Sequence, residues 1–153
     1  MIILTKSILI SIQPKWVEKI LNGEKTIEIR KTMPKCELPI DVYIYCTKDK
    51  AYLNLINRGG FLTRMLVAKF TLNKVEEIEP KVQFKLSGAY CTYRMEKLAT
   101  TTLLEKSCLS FEELDLYLNW NTGYAWHIDN LEIFDKPIEL DSKPPMSWCY
   151  IER

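Results

Sequence analysis

The chain has one histidine, His127, no Cys-x-x-Cys pair and no apolar run long enough to span a bilayer. Each absence removes a class of protein. A single histidine excludes every two-histidine metal arrangement. The five cysteines at 36, 46, 91, 108 and 149 are odd in number and widely spaced, so they suggest neither a disulfide framework nor a zinc site. No metal and no other cofactor is expected, and reduced thiols are the default. With no basic-then-apolar leader and no membrane span, a soluble cytosolic protein without a membrane partner is expected. No repeat, low-complexity segment or linker divides the 153 residues, which fit one domain over 1–153 that buries roughly 70% of its unfolded surface.

The net charge of +1 excludes a strongly basic or acidic protein, but the charge is unevenly placed. Residues 1–75 hold thirteen Lys and Arg against six Asp and Glu, and residues 76–153 hold eight against fourteen. A near-neutral chain can thus present a basic face to a polyanion, unless the fold mixes the two halves.

Ile8 to Ile12 is a β-branched run. From Gln13 to Gly23 the pattern predicts a short helix, with Pro14 at its first position and Gly23 as its stop. A strand follows at once, and it is the most informative segment. Side chains alternate across a strand, so Ile27 and Ile29 can face a core while Thr26, Glu28 and Arg30 share the other face. Three polar side chains on one face need solvent, each other or a ligand.

Beyond a turn at 32–35, residues 41–47 alternate as a third strand. Lys48 to Arg58 has helix-compatible spacing in Tyr52, Leu55 and Ile56, with Gly59-Gly60 as a stop, and Met65 to Val75 reads as a strand. Residues 81–108 give no clear pattern. Ser110 with Glu113 forms a capping box before a helix carrying Leu114, Leu116, Tyr117 and Leu118. Tyr124 to Phe134 is a strand region with a kink expected at Asp129-Asn130, and Ser147 to Ile151 is a closing strand.

The string Ile-Gln-Pro-Lys-Trp-Val-Glu-Lys-Ile-Leu-Asn-Gly-Glu-Lys-Thr-Ile-Glu-Ile-Arg-Lys at 12–31 resembles the opening signature of ASCH (activating-signal-cointegrator homology) domains. The Gly-x-Lys-x-x-Glu-x-Arg pattern at its core is met by Gly23, Lys25, Glu28 and Arg30. Gly123 to Leu131 resembles the strand that approaches this motif from the far side of the barrel. Positions 47–64 and 81–108 match no part of the family pattern. The resemblance implies an α+β fold, a PUA-like small β-barrel with flanking helices. It also implies a cleft for single-stranded RNA, a nucleotide or a nucleoside, lined by Lys25, Glu28, Arg30, Trp126 and Tyr124.

Each of these residues carries two readings. A partly desolvated Lys25 beside other cations has a lowered pKa and serves as base or nucleophile, whereas a solvated one does neither. Glu28 and Arg30, two apart on one face, can form a structural ion pair. In a functional version Arg30 holds a phosphate or base edge while Glu28 accepts a hydrogen bond or relays a proton. Trp126, and less so Tyr124, stacks an unpaired base if it faces a cleft and is core if it does not. His127, of opposite parity, is expected to have a structural or surface role rather than a catalytic one.

The family also includes N4-acetylcytidine amidohydrolases, in which the motif lysine is catalytic and a threonine three residues on is the nucleophile. Lys25 matches that lysine, but Glu28 occupies the threonine position and Thr26 stands at the wrong offset. A further glutamate of those enzymes has only Glu105 as a loose counterpart. Three readings follow. The first is an RNA- or nucleotide-binding module. The second is a hydrolase of a modified nucleoside or of RNA phosphodiesters with Lys25 and Glu28 as its catalytic pair, and the third is a partner-binding module with a vestigial cleft.

Overall fold

In the computed structural model the described residues are 3–49, 56–57, 60–96 and 99–153, with backbone alone at 56–57 and 60–61. The elements in chain order are β1 (Lys6–Ile12), α1 (Pro14–Leu21), β2 (Ile27–Arg30), β3 (Ile40–Cys46), β4 (Ile56–Asn57), β5 (Gly60–Phe61) and β6 (Met65–Leu72). They continue with β7 (Val75–Lys85), β8 (Gly88–Arg94), α2 (Thr100–Ser107), α3 (Phe111–Leu118), β9 (Gly123–His127), β10 (Asp129–Glu139) and β11 (Trp148–Glu152).

The strands form a five-stranded sheet in the order β10-β6-β3-β1-β11, a four-stranded sheet in the order β2-β9-β7-β8, and the small β4-β5 ribbon. β1 and β3 are parallel, with Ile8 opposite Val42, Ile10 opposite Ile44 and Ile12 opposite Cys46. These six side chains are fully buried and form the main core with Phe70, Leu72, Val17, Ile20 and Trp126. A parallel pair needs a crossover, and here α1 and β2 supply it. The chain leaves one sheet, passes through the other and returns, which carries the polar-faced strand across the core.

The second sheet has cores on both sides. Ile27 and Ile29 pack with Ala125, Ile78, Tyr93, Leu103, Leu114 and Leu118, under α2 and α3. On the opposite face Glu28 is in register with Trp126, and Arg30 with Tyr124, so these four side chains point toward the five-stranded sheet. The alternation read in the sequence is the division between these two cores.

Local signals set the boundaries. α1 buries Val17 and Ile20 one turn apart and ends where Gly23 adopts φ +84, a left-handed conformation that glycine enters without a Cβ clash. α3 carries the capping box in full, Ser110 accepting from the Glu113 amide and Glu113 from the Ser110 amide. The strand expected over 65–75 is broken at Asn73-Lys74 into β6 and β7. The strand region expected over 124–134 divides at Ile128 into β9 and β10, and the kink expected at 129–130 falls on the first two residues of β10, where Asn130 has φ 49. The closing strand is β11, an edge strand antiparallel to β1.

The helix expected over 48–58 falls mostly outside the described residues; of its described positions, Lys48 and Asp49 are irregular and Ile56–Asn57 is a strand paired with Gly60–Phe61. The unreadable stretch 81–108 is the outer part of the β7–β8 hairpin followed by α2. Among the described residues no helix is long and apolar enough to cross a membrane.

Ser110→Ala removes one half of the capping box and is expected to lower stability by about 1 kcal/mol. In urea unfolding this appears as a lower midpoint with an unchanged slope.

Candidate functional site

A cavity of about 340 Å³ opens where α1, β2, α3 and the ends of β1 and β3 meet. Its charged lining consists of Lys25, Glu28 and Arg30. Trp16 of α1 and Tyr117 of α3 add aromatic surface, and Ser11, Ile12, Gln13, Ile29, Thr47, Leu109 and Met146 complete it. Lys25 is 2% exposed and Glu28 7%, whereas Tyr117 is 38% exposed and Met146 fully so, so the charges lie deep and the aromatic and thioether groups nearer the mouth.

Lys25 is positioned by its backbone. After Gly23, the Lys25 amide donates to the Lys19 carbonyl and the Thr26 amide to the Lys106 carbonyl, which ties the start of the polar-faced strand to α1 and α2 together. The Lys25 Nζ donates to the Ser107 carbonyl at 2.6 Å and lies 5.1 Å from the Trp16 ring centroid. Burial lowers its pKa, opposed by attraction from Glu28 and aided by repulsion from Arg30.

Arg30 spans the two sheets. Its Nη2 donates to the Ser11 carbonyl at 2.6 Å and its Nη1 to the Ser147 hydroxyl at 3.2 Å. Its Nε lies 3.7 Å from Glu28 Oε1, within ion-pair range but too far for a hydrogen bond. The buried Arg30 Nε–H and the buried Glu28 Oε2 have no hydrogen-bond partner among the described residues. One donor and one acceptor are thus left unsatisfied beside each other, each at a cost that a buried polar group ordinarily avoids.

The cavity brings together Lys25, Glu28 and Arg30 and excludes the two expected aromatics. Trp126 has the anticipated parity but is 0% exposed. Its Nε1 donates to the Thr32 carbonyl at 3.1 Å and its ring meets Trp148 edge-on at 5.4 Å. A residue at the middle of a sheet facing the main core has no face left for a ligand, so Trp126 is corrected from stacking platform to core. Tyr124 is half-buried against the same core and does not line the cavity either. The aromatic surfaces that do line it, Trp16 and Tyr117, are on helices. Trp16 lay inside the family string and Tyr117 on the apolar side of the capped helix, but neither helix signals in sequence what it faces.

Thr26 and Glu105 are exposed and line no part of the cavity. His127 joins a separate cluster, its Nε2 2.9 Å from Glu76 Oε1, which also lies 2.9 Å from Lys74 Nζ. Burial pushes the Glu76 carboxyl up, but these two partners together hold it below the usual range. That cluster borders a second cavity of about 470 Å³ that also includes Glu77, Glu79, Arg94 and Glu96. Among the described residues no group of three or more His, Cys, Asp and Glu is arranged to hold a metal ion.

The ASCH domain family matches residues 10–137, a span that includes the whole motif, α3 and the strand in register with β2. The chain belongs to the ASCH domain family. Among solved structures it is similar to an ASCH protein from Zymomonas mobilis, with 17% identity, a TM-score of 0.64, and 95% of this chain and 87% of that one covered. A tyrosine-to-phenylalanine variant from the same organism gives 17% identity and a TM-score of 0.62, with 96% and 91% covered. A serine-to-alanine variant gives 17% and 0.61, with 95% and 87% covered. A search of curated proteins found no match. The likeness to the solved structures is one of fold, the α+β, PUA-like barrel of ASCH domains, and most of the residues that line the cavity lie within the matched span.

Since burial lowers the Lys25 pKa, the unfolded chain binds this proton more tightly than the folded one. Stability therefore rises with pH across the window between the lowered Lys25 value and the ordinary 10.5. A carbon-detected NMR titration of the lysine side chains, with Lys25→Met to assign the signal, is expected to show Lys25 titrating at lower pH than the exposed lysines. A Lys25 midpoint at or above theirs contradicts a desolvated ammonium.

Proposed function

We propose that this ASCH domain binds RNA or a nucleotide by receiving one unstacked base in the cavity bordered by Trp16 and Tyr117. The observation that carries this reading is the pair of buried, unsatisfied groups, the Arg30 Nε–H and the Glu28 Oε2. With a turn of the two side chains toward the cavity they line, a ligand edge offering an acceptor beside a donor satisfies both at once, and the edges of nucleobases are built in that way. A phosphate fits less well. Glu28 repels it, and both terminal nitrogens of Arg30 are already engaged by Ser11 and Ser147. A volume of about 340 Å³ lies at the small end of ligand pockets and suits a single nucleoside better than a folded polymer. Aromatic side chains beside a base favour single strands over duplex, whose bases are already stacked.

A hydrolase is the second reading, supported by the buried Lys25 with its lowered pKa in the same cavity as Glu28. Against it, the motif has a carboxylate where the acetylcytidine hydrolases carry a nucleophilic hydroxyl. The hydroxyl of Ser11 is committed to the Pro145 carbonyl at 2.7 Å. An open cavity with charged groups at depth does not favour a vestigial cleft.

Two variants test the binding reading against the hydrolase. Trp16→Ala is expected to weaken binding of a nucleoside or short RNA roughly 10-fold or more, from the loss of one stacking surface, while Trp126→Phe leaves affinity near wild type. Glu28→Gln is expected to weaken binding, because the guanidinium loses its charged neighbour. Assays on acetylated cytidine and short RNAs complete the test. Wild-type turnover that falls roughly 100-fold or more in Glu28→Gln with binding retained replaces the binding reading with the hydrolase.

A further inference from the structure

The geometry points to a strand of nucleic acid, held by its phosphates on either side of the inserted base, as the occupant of this site rather than a free nucleotide. Lys15 and Lys31 form the phosphate track along the outer stripe of α3. This inference rests on the base-binding reading of the cavity.

Each aromatic residue that lines the cavity carries an exposed lysine. Lys15 Nζ sits 4.5 Å from the Trp16 ring centroid, and Lys31 Nζ sits 4.8 Å from that of Tyr117. α3 relates the two lysines to each other. Lys15 Nζ also lies 3.7 Å from Glu113 Oε2, and Glu113 and Tyr117 are four residues apart on α3, neighbours on one helix face about 5–6 Å apart at Cβ. The two ammonium groups are therefore set near the two ends of a single helical turn, outside the cavity.

Their role is complementary to that of the buried groups. Lys25 and Arg30 are committed to carbonyl and hydroxyl acceptors, so they are poorly placed to meet a phosphate that remains in solvent. Lys15 and Lys31 are solvated and, among the described residues, held by ring contacts and by Glu113, so a phosphate reaches them without desolvation of the site. A free nucleoside uses the cavity alone, and a nucleoside monophosphate engages at most one lysine. An internal nucleotide of a strand presents a phosphate on each side and engages both. Glu113 opposes this at Lys15, and its carboxylate must yield to the incoming phosphate.

Calorimetric titration of the full chain with a nucleoside, its monophosphate and a trinucleotide carrying that nucleoside at its centre separates the two claims. The trinucleotide is expected to bind more tightly than the monophosphate, with an affinity that falls with salt, by about 0.7 in log–log slope for each phosphate contacted. Lys15→Gln with Lys31→Gln is expected to flatten that slope by roughly 1.4, which removes roughly a 7-fold change in affinity between 50 and 200 mM salt. Nucleoside affinity is expected to stay the same. Glu113→Gln keeps a side-chain acceptor for the capping box and frees Lys15, so the trinucleotide is expected to bind more tightly to it. Equal affinity for trinucleotide and monophosphate, or lysine variants that weaken nucleoside and trinucleotide alike, overturns the track and leaves the base pocket standing. A nucleoside that fails to bind the wild-type protein overturns the base pocket, and the track with it.

Discussion

Arg30 is held by both sheets, and much of the site follows from what a buried guanidinium requires. It belongs to β2 in the four-stranded sheet, while its acceptors are the Ser11 carbonyl on β1 of the five-stranded sheet and the Ser147 hydroxyl just before β11. Removing a charge from water costs several kcal/mol, and hydrogen bonds to charged groups return about 1.5–3 kcal/mol each. The guanidinium of the four-stranded sheet is therefore stable only where the five-stranded sheet brings its acceptors to it, and that requirement fixes the approach of the two sheets at the cavity. Glu28, two residues earlier on the same face, supplies the neutralising charge without completing the hydrogen bonds, so the cation is balanced yet not saturated. A site left in that condition is suited to a ligand that completes it.

The parts legible in the sequence are those set by neighbours along the chain. The Ser110–Glu113 box, Pro14 at a helix start, Gly23 at its end and the two-residue alternation of β2 are local chemistry, and each appears in the structure where the residues place it. Lys25, Glu28 and Arg30 reach one cavity for the same reason, since a single strand and its turn carry all three. The aromatic lining was not legible. Strand parity puts Trp126 on the correct face, in register with Glu28, but parity does not say whether a position lies over the core or over an opening. Trp16 and Tyr117 reach the cavity through the docking of two helices, which depends on contacts distant in sequence. The hairpin within 81–108 was hidden because its outer half lacks a covered face. Phe84 is 81% exposed and Leu86 fully exposed, so burial imposes no alternation there for a reader to find.

The uneven charge of the two halves survives folding in a local form. The cations around the motif cavity, Lys15, Lys25, Arg30 and Lys31, all come from the basic half, and the carboxylates of the second cavity, Glu76, Glu77, Glu79 and Glu96, from the acidic half. Mixing occurs where α3 brings Glu113 of the acidic half against Lys15. A near-neutral chain thus holds two polar cavities of opposite character, and ligand sign can be selected by site while the molecule as a whole carries almost no net charge.

The Arg30–Ser147 bond joins residues 117 positions apart, and Ser11 is tied to Pro145 across 134. A ribosome delivers β1, α1 and β2 long before it delivers the segment that supplies Pro145 and Ser147. Until that segment emerges the guanidinium lacks one of its acceptors, and the cavity has no Met146 at its mouth. The motif precedes by 117 positions the serine that completes the pocket built on it, so the site is begun well before it can be closed.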